Sequence, residues 1–162
     1  MQENTQQAFR EVMRGYPTGV TIVTSLSEAK PVGGTMNSFT SVSMTPPLIA
    51  VFITAGSHTA QAIAGSRKFN VNILSASQET DARKFADPDS ATRFAQDHFE
   101  SGSNGIPVIP ASIACLECTL EDQIPVADHI MFLGKVTTAS HLKEGNPLLY
   151  YRRKFLELPS DP

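Results

Sequence analysis

The sequence lacks the features that mark several protein classes. Thirteen Lys and Arg stand against sixteen Asp and Glu, a formal net charge of −3. There is no basic excess to neutralise nucleic-acid phosphates or to hold an anionic membrane surface. Only Arg152, Arg153 and Lys154 cluster, and three charges are too few for either partner. No apolar run approaches the ~20 residues of a membrane span. The polar start MQENTQQ lacks the basic and apolar regions of a secretion signal, so the expected compartment is the cytoplasm. The glycine-rich phosphate devices G-x-G-x-x-G and G-x-x-x-x-G-K-[ST] are absent. So are G-x-S-x-G, H-E-x-x-H and a Cys–His nucleophile signature.

Cysteine is scarce too. Cys115 and Cys118 form a C-x-x-C, but zinc needs about four ligands, and no second Cys or His pair lies at suitable spacing. A redox C-x-x-C opens a helix, whereas ASIACLECTLED alternates like a strand, which puts residues three apart on opposite faces. Both are expected to be buried or half-buried structural thiols.

What is present suffices for one domain, residues 1–162. Of these, 41% are hydrophobic, and a chain of this length buries roughly 70% of its unfolded surface. TQQAFREVMRG places Ala8, Phe9, Val12 and Met13 on one helical stripe, with Thr5 as cap and Gly15 as stop. VTIVTSL, rich in β-branched residues, returns through a turn at residues 27–30 as PVGGTMNSF. Pro46 and Pro47 break the chain before LIAVFIT, whose unbroken apolar run suits a strand buried on both faces. SHTAQAIAGS makes about two helical turns ending at Gly65, and FNVNILS alternates.

Ser75-x-x-Gln78 is a capping box that starts a helix with Ala82, Phe85 and Ala86 on its apolar face. Residues 87–110 are the least regular, with a short helix expected around 91–95 and a mobile surface loop over SGSNGIPVIP. IACLECTLE and HIMFLGKVTTAS are strands joined by a polar, proline-containing turn. His98 and His141 fall in loop-like sequence and are assigned no role. About six strands with short helices point to a mainly β barrel or sandwich. A doubly wound sheet would need full crossover helices.

The segment GGTMNSFTSVS, residues 33–43, is dense in neutral donors, and its two glycines permit close approach to the backbone. It suits a polar planar ligand or a phosphate, or else it is a Ser/Thr-rich edge strand. Extended to GGTMNSFTSVSMTPPLIAVFI, it closely resembles the flavin-binding stretch of the flavin reductase-like family, the short-chain NAD(P)H:flavin oxidoreductases that supply two-component monooxygenases. FREVMRGYPTGVTIVTS, FNVNILS, KFAD, Arg93-Phe94, GIPVIPASIACLECTLE, Asp128-His129 and PLLYYRRKF match in the same order.

The resemblance implies a six-stranded FMN-binding split β-barrel with a few short helices, a homodimer with flavin near the subunit interface. FMN or FAD is the implied flavin, NADH or NADPH the hydride donor, and a flavin-dependent monooxygenase the receiving partner. On this resemblance Val32, Gly33, Gly34, Thr35, Met36, Asn37 and Ser38 wrap the flavin. Ser41 and Ser43 support that turn or reach the phosphate. Phe52, Ile53 and Thr54 line the other side. Ser57, His58 and Thr59 open a helix whose N-terminus favours phosphate, and Lys84 and Arg93 are charge partners for the phosphate or for adenosine. His129 orients the nicotinamide or a flavin carbonyl. Tyr151, Arg152, Arg153 and Phe155 close over the nicotinamide cofactor, the arginines meeting its pyrophosphate, unless the segment is a helix-like tail packed on the barrel. Gly34 and Met36 stand where members often carry Met and Ala, a change that loosens the turn. Two other readings on the same barrel are a non-catalytic flavin-binding electron-transfer or regulatory module, and a pyridoxamine-phosphate oxidase-like or haem-handling relative.

Overall fold

The local signals become three helices and a curled antiparallel sheet in the computed structural model, which describes residues 2–87, 93–94 and 99–159. In chain order the elements are α1 (Gln2–Arg14), β1 (Thr18–Gly19), β2 (Thr21–Ser27), β3 (Lys30–Met36), β4 (Phe39–Met44), β5 (Pro47–Thr54), α2 (His58–Ser66) and β6 (Lys68–Ile73). There follow α3 (Glu79–Ala86), β7 (Glu100–Ser101), β8 (Pro107–Val108), β9 (Ala114–Val126), β10 (His129–His141), β11 (Leu149–Tyr151) and β12 (Lys154–Leu156).

Seven strands form the main sheet in the order β3-β2-β6-β9-β10-β5-β4, all antiparallel. Its two edges, β3 and β4, are consecutive in the chain and separated only by Asn37 and Ser38. The sheet therefore curls until its edges come within two residues of each other, which is a split barrel. The count is seven rather than six because FTSVSM is itself an edge strand, β4, mostly exposed and without the apolar alternation that reveals a half-buried strand.

Tight turns set the registers. Glu28 and Ala29, both at positive φ, close the β2–β3 hairpin with Ser27 opposite Lys30. Between β9 and β10 the turn is Ala127 and Asp128 alone. Pro125 lies in β9 opposite Ile130, so the expected proline-containing turn is shorter than its composition implied. In β10 a Cβ on Gly134 would fall 2.5 Å from Phe69 Cζ and 3.1 Å from Cys118 Cβ, so glycine is required for the core ring to seat.

The core lies on both faces of β2. Val23 packs with Val51, Ile63, Phe69 and Phe132 inside the barrel, while Val20 and Ile22 pack with Leu74, Ala82, Phe85 and Ile109 under α3. Asn70 and Asn72 in β6 are fully buried. They are satisfied by the incoming loop: Asn70 donates to the Ile106 carbonyl at 3.1 Å, and Asn72 accepts from Ile109 N–H at 2.9 Å. This corrects the expected surface loop in its second half, where Ile106, Pro107 and Ile109 are buried, while residues 101–105 stay at the surface. The helix expected around 91–95 and His98 lie outside the described residues, apart from 93–94.

Glu117 anchors the same loop, accepting from Ser103 Oγ at 2.7 Å and Asn104 N–H at 2.9 Å. Burial pushes its carboxyl upward, but the hydrogen bonds from Ser103 and Asn104 outweigh this and hold it below the ordinary 4.5. The thiols of Cys115 and Cys118 are buried and unlinked. Burial pushes both up to about 12, with Glu117 adding to each and Cys115 to Cys118.

Three further expectations change. α1 begins well before Thr5, so Thr5 is not its cap, and Phe9, Val12 and Met13 are exposed at 65%, 72% and 45%. Ala86 is exposed, while Ala82 and Phe85 carry the α3 contact. The C-terminal segment is a β-hairpin rather than a helix-like tail, pairing through β11 with β1. Arg152 and Arg153 form its turn, both at positive φ.

Candidate functional site

The split is where the barrel opens. A cleft of about 560 Å³ runs along it, a size suited to a small cofactor. One wall is β3 and its continuation, Gly34, Thr35, Met36, Asn37 and Ser38. The floor is the end of β5, Phe52, Ile53 and Thr54. The α2 N-terminus adds Ser57, His58 and Thr59, and Arg93 and His129 complete the rim. These residues, scattered over nearly a hundred positions, meet because β3 is one edge of the split, β5 lies next to its other edge, and His129 lies opposite Thr54 in the β10–β5 register.

Most hydroxyls of the segment serve as framework. Thr35 Oγ1 donates to the Ala82 carbonyl at 2.7 Å, fixing β3 to α3. Ser38 Oγ donates to the Phe52 carbonyl at 2.6 Å, while Phe52 N–H donates back to the Ser38 carbonyl at 3.0 Å. The link that crosses the split is thereby held rigid, leaving the exposed Asn37 amide and the backbone to meet a ligand. Ser43 Oγ accepts from Thr45 N–H at 3.2 Å. Ser41 and Ser43 lie on β4 and do not line the cleft.

Ser57 caps α2 by accepting from Ala60 N–H at 3.2 Å. The N–H groups of the helix's first turn, which follows Ser57, would present the favourable end of the helix dipole to an anion. Gly56 precedes them at φ +78°, with open space where a Cβ would stand, whereas a Cβ on Gly34 would meet Met36 Cε and Thr59 Oγ1 at 3.3 Å. Val32 and Gly33 line an adjoining cleft that shares His58 and Arg93 with the first. Arg93 Nη1 donates to the Gly33 carbonyl at 2.7 Å and Nη2 to the Asp87 carbonyl, while its Nε is buried without a hydrogen-bond partner among the described residues. His129 Nδ1 is 2.8 Å from Asp128 Oδ1. That hydrogen bond, with the electrostatic interaction between the two side chains, holds the Asp128 carboxyl below its ordinary range.

Several of the site residues were not evident in the sequence. A second cleft of about 500 Å³ lies on the other side of Asn37 and Ser38, lined by Tyr16, Pro17, Thr18, Phe39 and Phe52 among others. Thr18 Oγ1 is buried there without a hydrogen-bond partner among the described residues. A third, of about 480 Å³, extends from Thr35, Asn37 and Ala86 to the C-terminal hairpin, where it takes in Arg83, Tyr150, Arg153 and Phe155. Arg152 and Arg153 also face Glu11 and Arg14 of α1. Tyr151 stacks under Arg152, with the guanidinium 5.1 Å from its ring. Neither Tyr151 nor Lys84 lines these clefts. The signal for Tyr16, Pro17 and Thr18 was their rigid Y-P-T-G loop; for Arg83 there was none beyond helix phase.

Comparison with known proteins agrees with this architecture. The sequence pattern of the family described as Flavin reductase like domain matches residues 13–159. A flavin-dependent monooxygenase reductase subunit from Rhodococcus jostii is 34% identical, over 94% of this chain and 78% of that protein. A stachydrine N-demethylase reductase subunit from Rhizobium meliloti is 39% identical over 81% of this chain, but the match spans only 57% of that protein. For a second relative from that organism the match spans 42% of its length. Among solved structures, the Streptomyces globisporus NADH:FAD oxidoreductase in complex with NAD and FAD fragments superposes with a TM-score of 0.89. It is 35% identical, and the match covers 96% of this chain and 94% of that one.

Proposed function

The chain belongs to the flavin reductase-like domain family, and on that premise we propose that it is an NAD(P)H:flavin oxidoreductase. It would transfer hydride from NADH or NADPH to FMN or FAD and supply the reduced flavin to a monooxygenase partner. The observation that carries this is the cleft at the split, where the β3 backbone, the α2 N-terminus and Phe52 converge. The residues present fit a flavin. The space is adequate, Asn37 and the adjoining backbone offer donors, and Thr18 Oγ1 on the other side of the link is a buried polar atom with no partner among the described residues. Relatives that act as monooxygenase reductase subunits support the role of the partner.

Bound flavin supplies a hydride acceptor that can pass electrons onward to an oxygenase; the protein supplies position and electrostatics. Donors from residues 33–38 would hold the polar edge of the ring system where negative charge grows on reduction. Ser57, His58 and Thr59 would take the phosphate at the helix N-terminus. His129, oriented through Nδ1 by Asp128, would present its other ring nitrogen to the nicotinamide amide or a ring carbonyl. Phe52 and Ile53 would exclude water from one face. No acid–base residue is required, because hydride transfer between two cofactors depends on alignment.

We further propose that residues 1–162 act as one domain and as a homodimer, in the cytoplasm, where reduced nicotinamide is formed. The unburied α1 stripe of Phe9, Val12 and Met13, and Met44 at 83% exposure on β4, supply apolar surface for a second copy. Titrating flavin-stripped protein with FMN and with FAD, followed by flavin fluorescence, tests the reading. Saturable binding is expected, and no binding of either would reject it.

A further inference from the structure

We propose that the hollow between the end of α1 and the turn of the C-terminal hairpin is a docking surface for an acidic segment of the oxygenase that receives the reduced flavin. This rests on the reductase reading for the identity of the partner, not for the chemistry of the surface. The hollow, of about 470 Å³, is lined by Glu11, Arg14, Arg152 and Arg153. Three guanidinium groups thus face one carboxylate, in a chain whose net charge is −3. Among the clefts described, Arg152 lines this one alone, whereas Arg153 also lines the third cleft, together with Thr35 and Asn37. A partner held here sits at the mouth of the flavin groove without filling it.

Arg152 and Arg153 are the central residues of the β11–β12 turn, both at positive φ, where an L side chain is strained and Asn-Gly is the ordinary choice. Two arginines kept against that preference point to a use for their guanidinium groups. The turn is tied to α1, because Arg152 N–H donates to the Arg14 carbonyl at 3.2 Å. The Arg152 guanidinium is held 5.1 Å from the Tyr151 ring, which lowers the side-chain entropy lost on binding. Arg14 pairs through Nη1 with Glu11, but its Nε is buried without a hydrogen-bond partner among the described residues. Guanidinium forks grip carboxylates through two N–H groups at once, so one more acidic chain segment matches what the hollow offers. Three charges are too few for a nucleic acid or an anionic membrane. On α1, at ~100° per residue, Glu11 and Arg14 lie on the side opposite Phe9, Val12 and Met13, so the apolar stripe can meet a second copy while the hollow stays open.

The test is fluorescence anisotropy with fluorescein-labelled hexaglutamate at low ionic strength. Wild-type protein should bind it saturably, hexaglutamine should not bind, and added salt should weaken the complex. Arg14→Gln should bind about tenfold more weakly while oxidising NADH with added flavin at the wild-type rate. Glu11→Gln, which removes the competing carboxylate, should bind more tightly. Arg152→Gly should lose about as much affinity as Arg14→Gln yet unfold at no lower temperature than wild type, since glycine takes the positive φ without strain; a purely structural arginine would lose stability instead. No binding by wild type, equal binding by wild type and both arginine variants, displacement of the peptide by NADH or FAD, or tighter binding of a single-stranded oligothymidylate would each overturn the assignment. The expected peptide binding in a protein that oxidises neither NADH nor NADPH would instead reject the reductase reading and leave the acidic-segment surface standing.

Discussion

Arg93 Nη1 donates to the carbonyl of Gly33 at 2.7 Å, a bond between residues sixty positions apart. A second bond from Nη2 to the Asp87 carbonyl makes Arg93 a clip between β3 and the end of α3, next to the wall that would carry the flavin. The geometry of a fork, rather than charge alone, does this. Arg93→Lys is therefore expected to weaken flavin binding about as much as Arg93→Ala, on the order of tenfold. Fluorescence titration of both variants checks it; full retention by the lysine variant would make Arg93 a simple charge partner.

Asn37 and Ser38 are adjacent but should separate cleanly. Ser38→Ala removes the 2.6 Å bond to the Phe52 carbonyl and should cost about 1 kcal/mol of stability, read as a lower urea midpoint. Asn37 is exposed on the link, so Asn37→Ala should leave that midpoint unchanged while weakening flavin affinity severalfold.

His129 is 41% exposed and held by Asp128, so its loss should not affect folding. His129→Ala is expected to lower kcat/KM for NADH about tenfold with an unchanged thermal midpoint, and Asp128→Asn should have a smaller effect in the same direction. Steady-state rates at saturating flavin decide it.

Glu117 ties acid stability to the loop that fills the second core. Its carboxyl is held below the ordinary 4.5, so its contribution is fully present above pH 4.5 and is lost as pH falls through the lowered folded value. Glu117→Gln should destabilise the protein by about 1–3 kcal/mol at pH 7. The gap between variant and wild type should narrow progressively below pH 4.5 in denaturant melts taken across that range.

Apolar periodicity made the interior strands and α2 legible, because Val23, Val51, Phe69 and Phe132 repeat in the pattern that burial requires. It could not reveal β4, an edge strand of Ser and Thr with little to bury. Nor could it show that residues 106–109 turn inward, since that depends on Asn70 and Asn72 offering long-range hydrogen bonds from a neighbouring strand. The flavin-like segment was found through motif resemblance, but the work of Thr35 and Ser38 as framework was not, because their partners Ala82 and Phe52 lie on other elements.

The most direct test of the central claim is oxidation of NADH and NADPH by the purified, flavin-stripped protein with FMN, FAD or neither added. The reductase reading predicts negligible turnover without flavin and rapid, saturable oxidation with at least one flavin and one nicotinamide cofactor. Flavin binding with no flavin-dependent oxidation of either nucleotide would contradict it and leave a flavin-binding module in its place.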